Sequence, residues 1–139
     1  MRFKKGLALG TYDLFHVGHL HFLEKAAGMC TVLNVAVDCD DYVLHYKHHL
    51  PVIGENDRAA ILKALKCVHD VVIHRFDWGP DNWISMGIDV VFIGSNWEDN
   101  PDWRKTDTYL QMHHVSVVYI QPMEGISTTQ IVSKIQGLR

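Results

Sequence analysis

Short β-rich runs alternate with helical stretches along the whole chain, and this alternation limits the fold more than any other feature. Residues 3–9 (FKKGLAL) form a first strand ending at Gly10, and residues 31–37 (TVLNVAV) a second, apolar enough to be buried on both faces. Residues 70–74 (DVVIH), 89–93 (DVVFI) and 115–120 (VSVVYI) supply three more. Leu20, Leu23 and Ala27, with Phe22 and Ala26 beside them, make a helical stripe over 19–28 that Gly28 stops. Further helices are expected over 57–66, with Ile61, Leu62 and Leu65 facing inward, and near 80–86, 101–113 and 127–137, the last capped by Ser127. Residues 38–57, polar and rich in histidine, read as a long loop of the kind that is functional or mobile. With no repeat and no linker, the pattern predicts an α/β fold: a single Rossmann-like, doubly wound domain over 1–139 with a five-stranded parallel sheet covered on both faces. Ligands of such sheets sit beyond the carboxyl ends of the strands, where strand order reverses. Functional residues are therefore expected at 10–19, 38–49, 74–82, 94–97 and 121–129.

Composition removes several function classes. At 139 residues the chain suits one core, and no apolar run approaches the roughly 18 residues a membrane span requires. The first residues lack the apolar stretch of a secretory signal, so a cytoplasmic location is expected. Thirteen Lys and Arg face sixteen Asp and Glu, with no basic stripe of the sort that grips nucleic acid. Ten histidines make the surface charge sensitive to pH near 6.5. Cys30, Cys39 and Cys67 form no C-x-x-C pair and are expected as small buried thiols in a reducing compartment.

Four segments carry chemistry. Gly10 to His19 (GTYDLFHVGH) joins the first strand to the first helix, and there Gly10 and Gly18 permit close backbone approach to a ligand. His16 and His19 bracket Gly18 at the positive end of the helix, where a bound polyphosphate would favour their protonated forms. In isolation two such histidines would be surface groups or a chance metal pair; between strand and helix, phosphate binding is the better account. The segment Gly125-Ile126-Ser127-Thr128-Thr129 opens the last helix, and its hydroxyls suit helix capping and phosphate donation equally. The loop Asp38-Cys39-Asp40-Asp41, with His45, Lys47, His48 and His49, is a solvated segment in which Lys47 could reach a phosphate and a helical His45–His49 pair could hold a metal. Finally, Gly94-Ser95-Asn96-Trp97 offers hydrogen bonds and a stacking face for a base. Neither G-x-G-x-x-G nor G-x-x-x-x-G-K-[ST] occurs, which disfavours NAD-binding and P-loop chemistry.

Together, and in this order, the segments resemble the small bacterial glycerol-3-phosphate cytidylyltransferases of the H-x-G-H nucleotidyltransferase superfamily. GTYDLFHVGH is similar to the family's G-T-[FY]-D-x-x-H-x-G-H, FIGSNW stands where the family has a G-D-D-W-like turn, and EGISTTQI matches its carboxyl-terminal phosphate motif. Arg58 matches an arginine of the family, and LKCVHDVVI resembles a segment that helps form the family's homodimer. There are departures. Gln121-Pro122-Met123 precedes Glu124 where the family has arginine, Ser95 replaces an acidic residue, and Lys47 is the remnant of a lysine-rich acceptor loop. These leave base and acceptor open.

The resemblance implies direct attack of a phosphate monoester, glycerol 3-phosphate or similar, on the α-phosphate of CTP, with Mg²⁺ carried by the triphosphate and no metal held by protein alone. It implies His16, His19 and Lys47 as catalytic residues. Gly10, Thr11, Tyr12, Gly18, Gly94, Ser95, Gly125, Ile126, Ser127, Thr128 and Thr129 would contact the nucleotide, and Asp13, Asp40, Lys47, Arg58 and Trp78 the acceptor. The competing expectations are adenylyl transfer from ATP to a sugar phosphate or similar acceptor, and a nucleotide-binding module of weakened catalysis.

Overall fold

The computed structural model describes residues 2–138. Strands β1 (Phe3–Gly10), β2 (Cys30–Asp38), β3 (Asp70–His74), β4 (Val90–Gly94) and β5 (Ser116–Ile120) form one parallel sheet in the order β3-β2-β1-β4-β5. The helices are α1 (Val17–Ala27), α2 (Asp40–Lys47), α3 (Glu55–Lys63), α4 (Pro80–Ser85), α5 (Pro101–Met112) and α6 (Thr128–Gln136), with a short 3-10 turn at Ser95–Trp97. The expected Rossmann-like, doubly wound α/β sheet is present.

Alternation along the strands builds the two halves of the core. Leu7, Leu9, Val91 and Ile93 pack on one face with Trp83 of α4 and with Trp103 and Leu110 of α5. Ala8, Val35, Val37, Val90 and Phe92 pack on the other with Leu23 of α1 and Leu62 of α3. Burial on both faces explains the near-continuous apolar strands that parallel sheets require. The chain leaves β1 toward β2 and later returns to β4 on the other side, so the switch point lies between β1 and β4.

The stretch 38–57 departs from expectation. It is not one loop: α2 occupies Asp40–Lys47 and α3 begins at Glu55. Asp40 and Asp41 lie in the first turn of α2 and His45 and Lys47 in the last, matching the helix dipole, while Val43 is its buried contact. A one-sided helix with a single buried residue leaves little apolar period to read. Ile61, expected inward, is exposed, whereas Leu62 is fully buried. His48 terminates α2 in the left-handed conformation, so His45 and His49 do not share a helical face as a metal pair would. Among the described residues no group of three or more His, Cys, Asp or Glu side chains could hold a metal, and no helix is long and apolar enough to cross a membrane.

Candidate active site

A cavity of about 770 Å³ opens over the carboxyl ends of the strands. Of the residues expected there, Gly10, Thr11, Tyr12, Asp13, His16, Gly18, His19, Lys47, Trp78, Gly94, Ile126, Ser127, Thr128 and Thr129 line it. The remaining four, Asp40, Arg58, Ser95 and Gly125, do not.

At its centre His16 and His19 form a reciprocal cap on α1. The Gly18 N–H donates to His16 Nδ1 at 3.1 Å, and the His16 N–H donates to His19 Nδ1 at 3.2 Å. Each Nδ1 is thereby an acceptor, which fixes the neutral tautomer with the proton on Nε2. The rings stack with centroids 3.7 Å apart. Burial lowers the pKa of His16, while burial, His16 and then Lys47 bring His19 down to about 3. Protonation at Nδ1 would break this cap, so with the cap formed the pair offers two neutral N–H donors.

This has a consequence for stability. Between His19's ordinary value of 6.5 and about 3, the unfolded chain binds a proton there that the folded chain does not. Stability therefore falls as pH drops through that window, by at most about 1.4 kcal/mol per pH unit from this group. Urea unfolding at several acidic pH values should show a shallower decline for His19→Gln than for the wild type. Parallel declines would refute the assignment.

Gly10 and Gly18, both lining the cavity, are also required by their own neighbours. A Cβ at Gly18 would lie 2.9 Å from His16 Cε1 and 3.2 Å from Ile126 Cγ2, and one at Gly10 would lie 2.9 Å from the Tyr12 ring. Both make room for the protein's own side chains. Gly18→Ala is expected to push the His16 ring out of register and to lower kcat by roughly 10-fold or more, because small misplacements at a reacting centre are costly. Steady-state kinetics beside a melting curve checks this, and unchanged kcat would count against it.

The loop between β1 and α1 is heavily braced. Tyr12 and Leu14 adopt left-handed backbone with φ of 57° and 50°, a strain that surrounding contacts must hold. Tyr12 is buried beneath His19, with ring centroids 5.5 Å apart. The Asp13 carboxylate accepts the Val52 and Ile53 N–H groups at 2.8 and 2.9 Å, so it clamps the next loop and is committed away from an acceptor. Arg58 is 1% exposed and donates to the carbonyls of Ile53 (2.7 Å), Thr11 (2.8 Å) and Asp38 (2.7 Å) and to Asp40 Oδ1 (2.6 Å). Buried Arg58, with half-buried Asp40 as its partner, is therefore a brace under the site, and neither residue lines the cavity as the acceptor ligands expected from sequence would.

At the start of α6, Ser127 Oγ accepts the Gln130 N–H, and Thr128 Oγ1 donates to the Asp13 carbonyl at 2.9 Å. The Thr128 hydroxyl is a tie between α6 and the β1–α1 loop rather than a phosphate donor. The Ser127 proton and the Thr128 and Thr129 amides, which have no intrahelical acceptor, remain able to meet an anion. Ser95 meets Gln121 at 3.4 Å away from the cavity, whereas its neighbours Asn96 and Trp97 line it.

Sequence reasoning placed functional windows at 38–49 and 74–82 but named only Trp78 of the wall over β2 and β3 as a site residue. Asp38 and His74 close their strands and pair at 3.0 Å, and Tyr46 donates to Asp38 at 2.9 Å. The signal was present: a polar residue ending an otherwise apolar parallel strand falls at the edge where ligands bind.

Comparison with known proteins shows the family. A family model described as Cytidylyltransferase-like matches residues 7–134. The glycerol-3-phosphate cytidylyltransferase of Staphylococcus aureus (strain NCTC 8325 / PS 47) is 32% identical over 136 residues, 96% of this chain and 96% of that protein. The enzyme of the same name from Bacillus subtilis (strain 168) is 33% identical, covering 97% of this chain and 99% of its own. The crystal structure of the lipopolysaccharide core biosynthesis protein from Thermoplasma volcanium GSS1 superimposes with a TM-score of 0.70 over 86% of this chain and 96% of that one. At 21% identity that likeness speaks for the fold alone. On the family model and these near full-length matches, the chain belongs to the cytidylyltransferase-like family of nucleotidyltransferase enzymes.

Proposed function

We propose that this enzyme transfers a cytidylyl group from MgCTP to the phosphate monoester of a small alcohol. The observation that carries the reading is the neutral His16–His19 pair, with both Nδ1 atoms held by main-chain amides, beside the amino end of α6 in one cavity. The full-length likeness to glycerol-3-phosphate cytidylyltransferases supports CTP as donor and an alcohol phosphate of about that size as acceptor.

An acceptor oxygen attacks the α-phosphorus and forms the new P–O bond. The bond from that phosphorus to the bridging oxygen breaks, and pyrophosphate departs with the electron pair. The acceptor phosphate, with its second pKa near 6, is largely dianionic at neutral pH and needs no general base. It needs alignment and neutralisation of charge. His16 and His19 donate through Nε2 to the α-phosphate and the bridging oxygen. Ser127, Thr129 and the α6 amides hold the β- and γ-phosphates, Lys47 draws in the acceptor phosphate, and Asn96 and Trp97 lie beside the base. Magnesium enters as part of the nucleotide substrate, held by phosphate oxygens and water. A homodimer and a cytoplasmic location belong to the same reading, and sedimentation tests the first.

The test is pyrophosphate release with MgCTP or MgATP over a mixed pool of phosphate-monoester acceptors. Acceptor-dependent release with CTP is the expected result. Release with ATP alone would reassign the donor, and silence with both from folded protein would favour a nucleotide-binding module.

A further inference from the structure

Among the described residues Lys47 is the one lysine that lines the cavity. It sits in the last turn of α2, an eight-residue helix with one buried side chain, Val43, and too short to be stable by itself. The start of α2 is fixed through Asp40, whose N–H donates to Glu55 at 2.9 Å and whose carboxylate accepts from Arg58 at 2.6 Å. Its end is fixed by Tyr46. The Tyr46 hydroxyl donates to Asp38 Oδ2 at 2.9 Å and meets the Thr11 hydroxyl at 2.6 Å, which ties the last turn to the carboxyl ends of β2 and β1. Resting on the cytidylyl-transfer reading above, we propose that Tyr46 is a positioning residue: it sets the Lys47 ammonium in the cavity for the acceptor phosphate.

The ring contributes as well as the hydroxyl. Lys47 Nζ lies 5.8 Å from the centre of the Tyr46 ring, within the range at which an ammonium is drawn to an aromatic face. The same ring meets Trp97 edge-on at 5.7 Å, so the turn after β4 buttresses it. Burial, and then the Asp38 carboxylate, hold the Tyr46 hydroxyl well above its ordinary range, so it stays protonated and remains a donor.

A lone lysine gains from such a hold. Its four-carbon stem carries about 2 kcal/mol of rotamer entropy, and its ammonium is a point charge with no geometric fork of its own. In a loop with several lysines, one or another can find the anion; the segment from Asp38 to Gly54 carries one lysine and no arginine. Ordering that lysine before the acceptor arrives spares the cost at the step where two anions are brought together. The fold does not depend on the same hydroxyl. Thr11 Oγ1 already lies 3.4 Å from Asp38 Oδ2, so in Tyr46→Phe it keeps a carboxylate to bond and no buried donor is stranded.

The experiment is a double-substitution cycle read in kcat/KM for glycerol 3-phosphate at saturating MgCTP. Tyr46→Phe is expected to lower it by about 10-fold, with the KM for CTP and the melting temperature little changed. In the Lys47→Ala background the same substitution should have no further effect. An equal loss in both backgrounds, or no loss in either, would overturn the proposal, because a hydroxyl that only braces the fold does not need the lysine. Absence of turnover by the wild type would count against the transfer reading instead, and a second measurement then decides the proposal alone. Reductive methylation with ¹³C-formaldehyde labels the lysines, and the Lys47 signal is the one missing from Lys47→Arg. Its ¹³C relaxation should show a more restricted ammonium than those of the exposed Lys63 and Lys105, and one as mobile as theirs in Tyr46→Phe. Equal mobility of all three in the wild type would overturn the proposal.

Discussion

Replacing His16 or His19 with alanine is expected to lower kcat by about 10²–10³ each, the usual loss when one preorganised donor to developing charge is removed. The two substitutions differ in a second respect. His16 is also the amino-terminal cap of α1, so His16→Ala should cost about 1 kcal/mol of stability as well. His16→Asn separates the effects: asparagine caps as well as any residue but has no imidazole Nε2 at that reach. It should recover most of the stability and none of the turnover. Measuring melting temperature and kcat on the three variants checks both halves, and full turnover in both alanine variants would end the mechanism.

A larger loss of stability is expected at Arg58. Its guanidinium is buried against three carbonyls and Asp40, and these tie the end of β1, the end of β2, α2 and the loop before α3. Arg58→Met keeps much of the volume but leaves those acceptors unpaired. Removing one partner of a buried charged network costs about 3–5 kcal/mol. For a chain of this length that lowers the melting temperature by roughly 10 °C or more. An acceptor ligand would behave in the opposite way, with a raised KM for acceptor and an unchanged melting curve. A calorimetric scan beside acceptor saturation kinetics distinguishes the two.

Those two residues illustrate how differently parts of the site could be read. His16, Gly18 and His19 lie within four positions at a strand-to-helix junction, so their proximity is set by local geometry and is visible in the sequence. Arg58 meets Thr11 and Asp38 across 47 and 20 positions, and an arginine opposite a phosphate site reads as a ligand until its burial is known. The same holds for Asp13, whose partners are 39 and 40 positions away, and for the Thr128 hydroxyl, whose partner is 115 positions away. Helix α2 escaped because it buries one residue and has no amphipathic period to betray it.

The sequence by itself determined the alternation of strands and helices, hence a parallel sheet covered on both faces, and placed the H-x-G-H and S-T-T segments at the carboxyl edge. These follow from periodicity and from chain polarity, which act over neighbouring residues. Only the tertiary structure decided which polar groups are spent in holding the site and which are left for substrate. It fixed His16 and His19 as neutral donors, made Arg58, Asp40 and Asp13 braces, and assembled Asp38, His74 and Tyr46 into one wall. The reason is that a hydrogen-bonding group has few partners to give, and what it meets depends on chain segments that only folding brings within 3 Å or so.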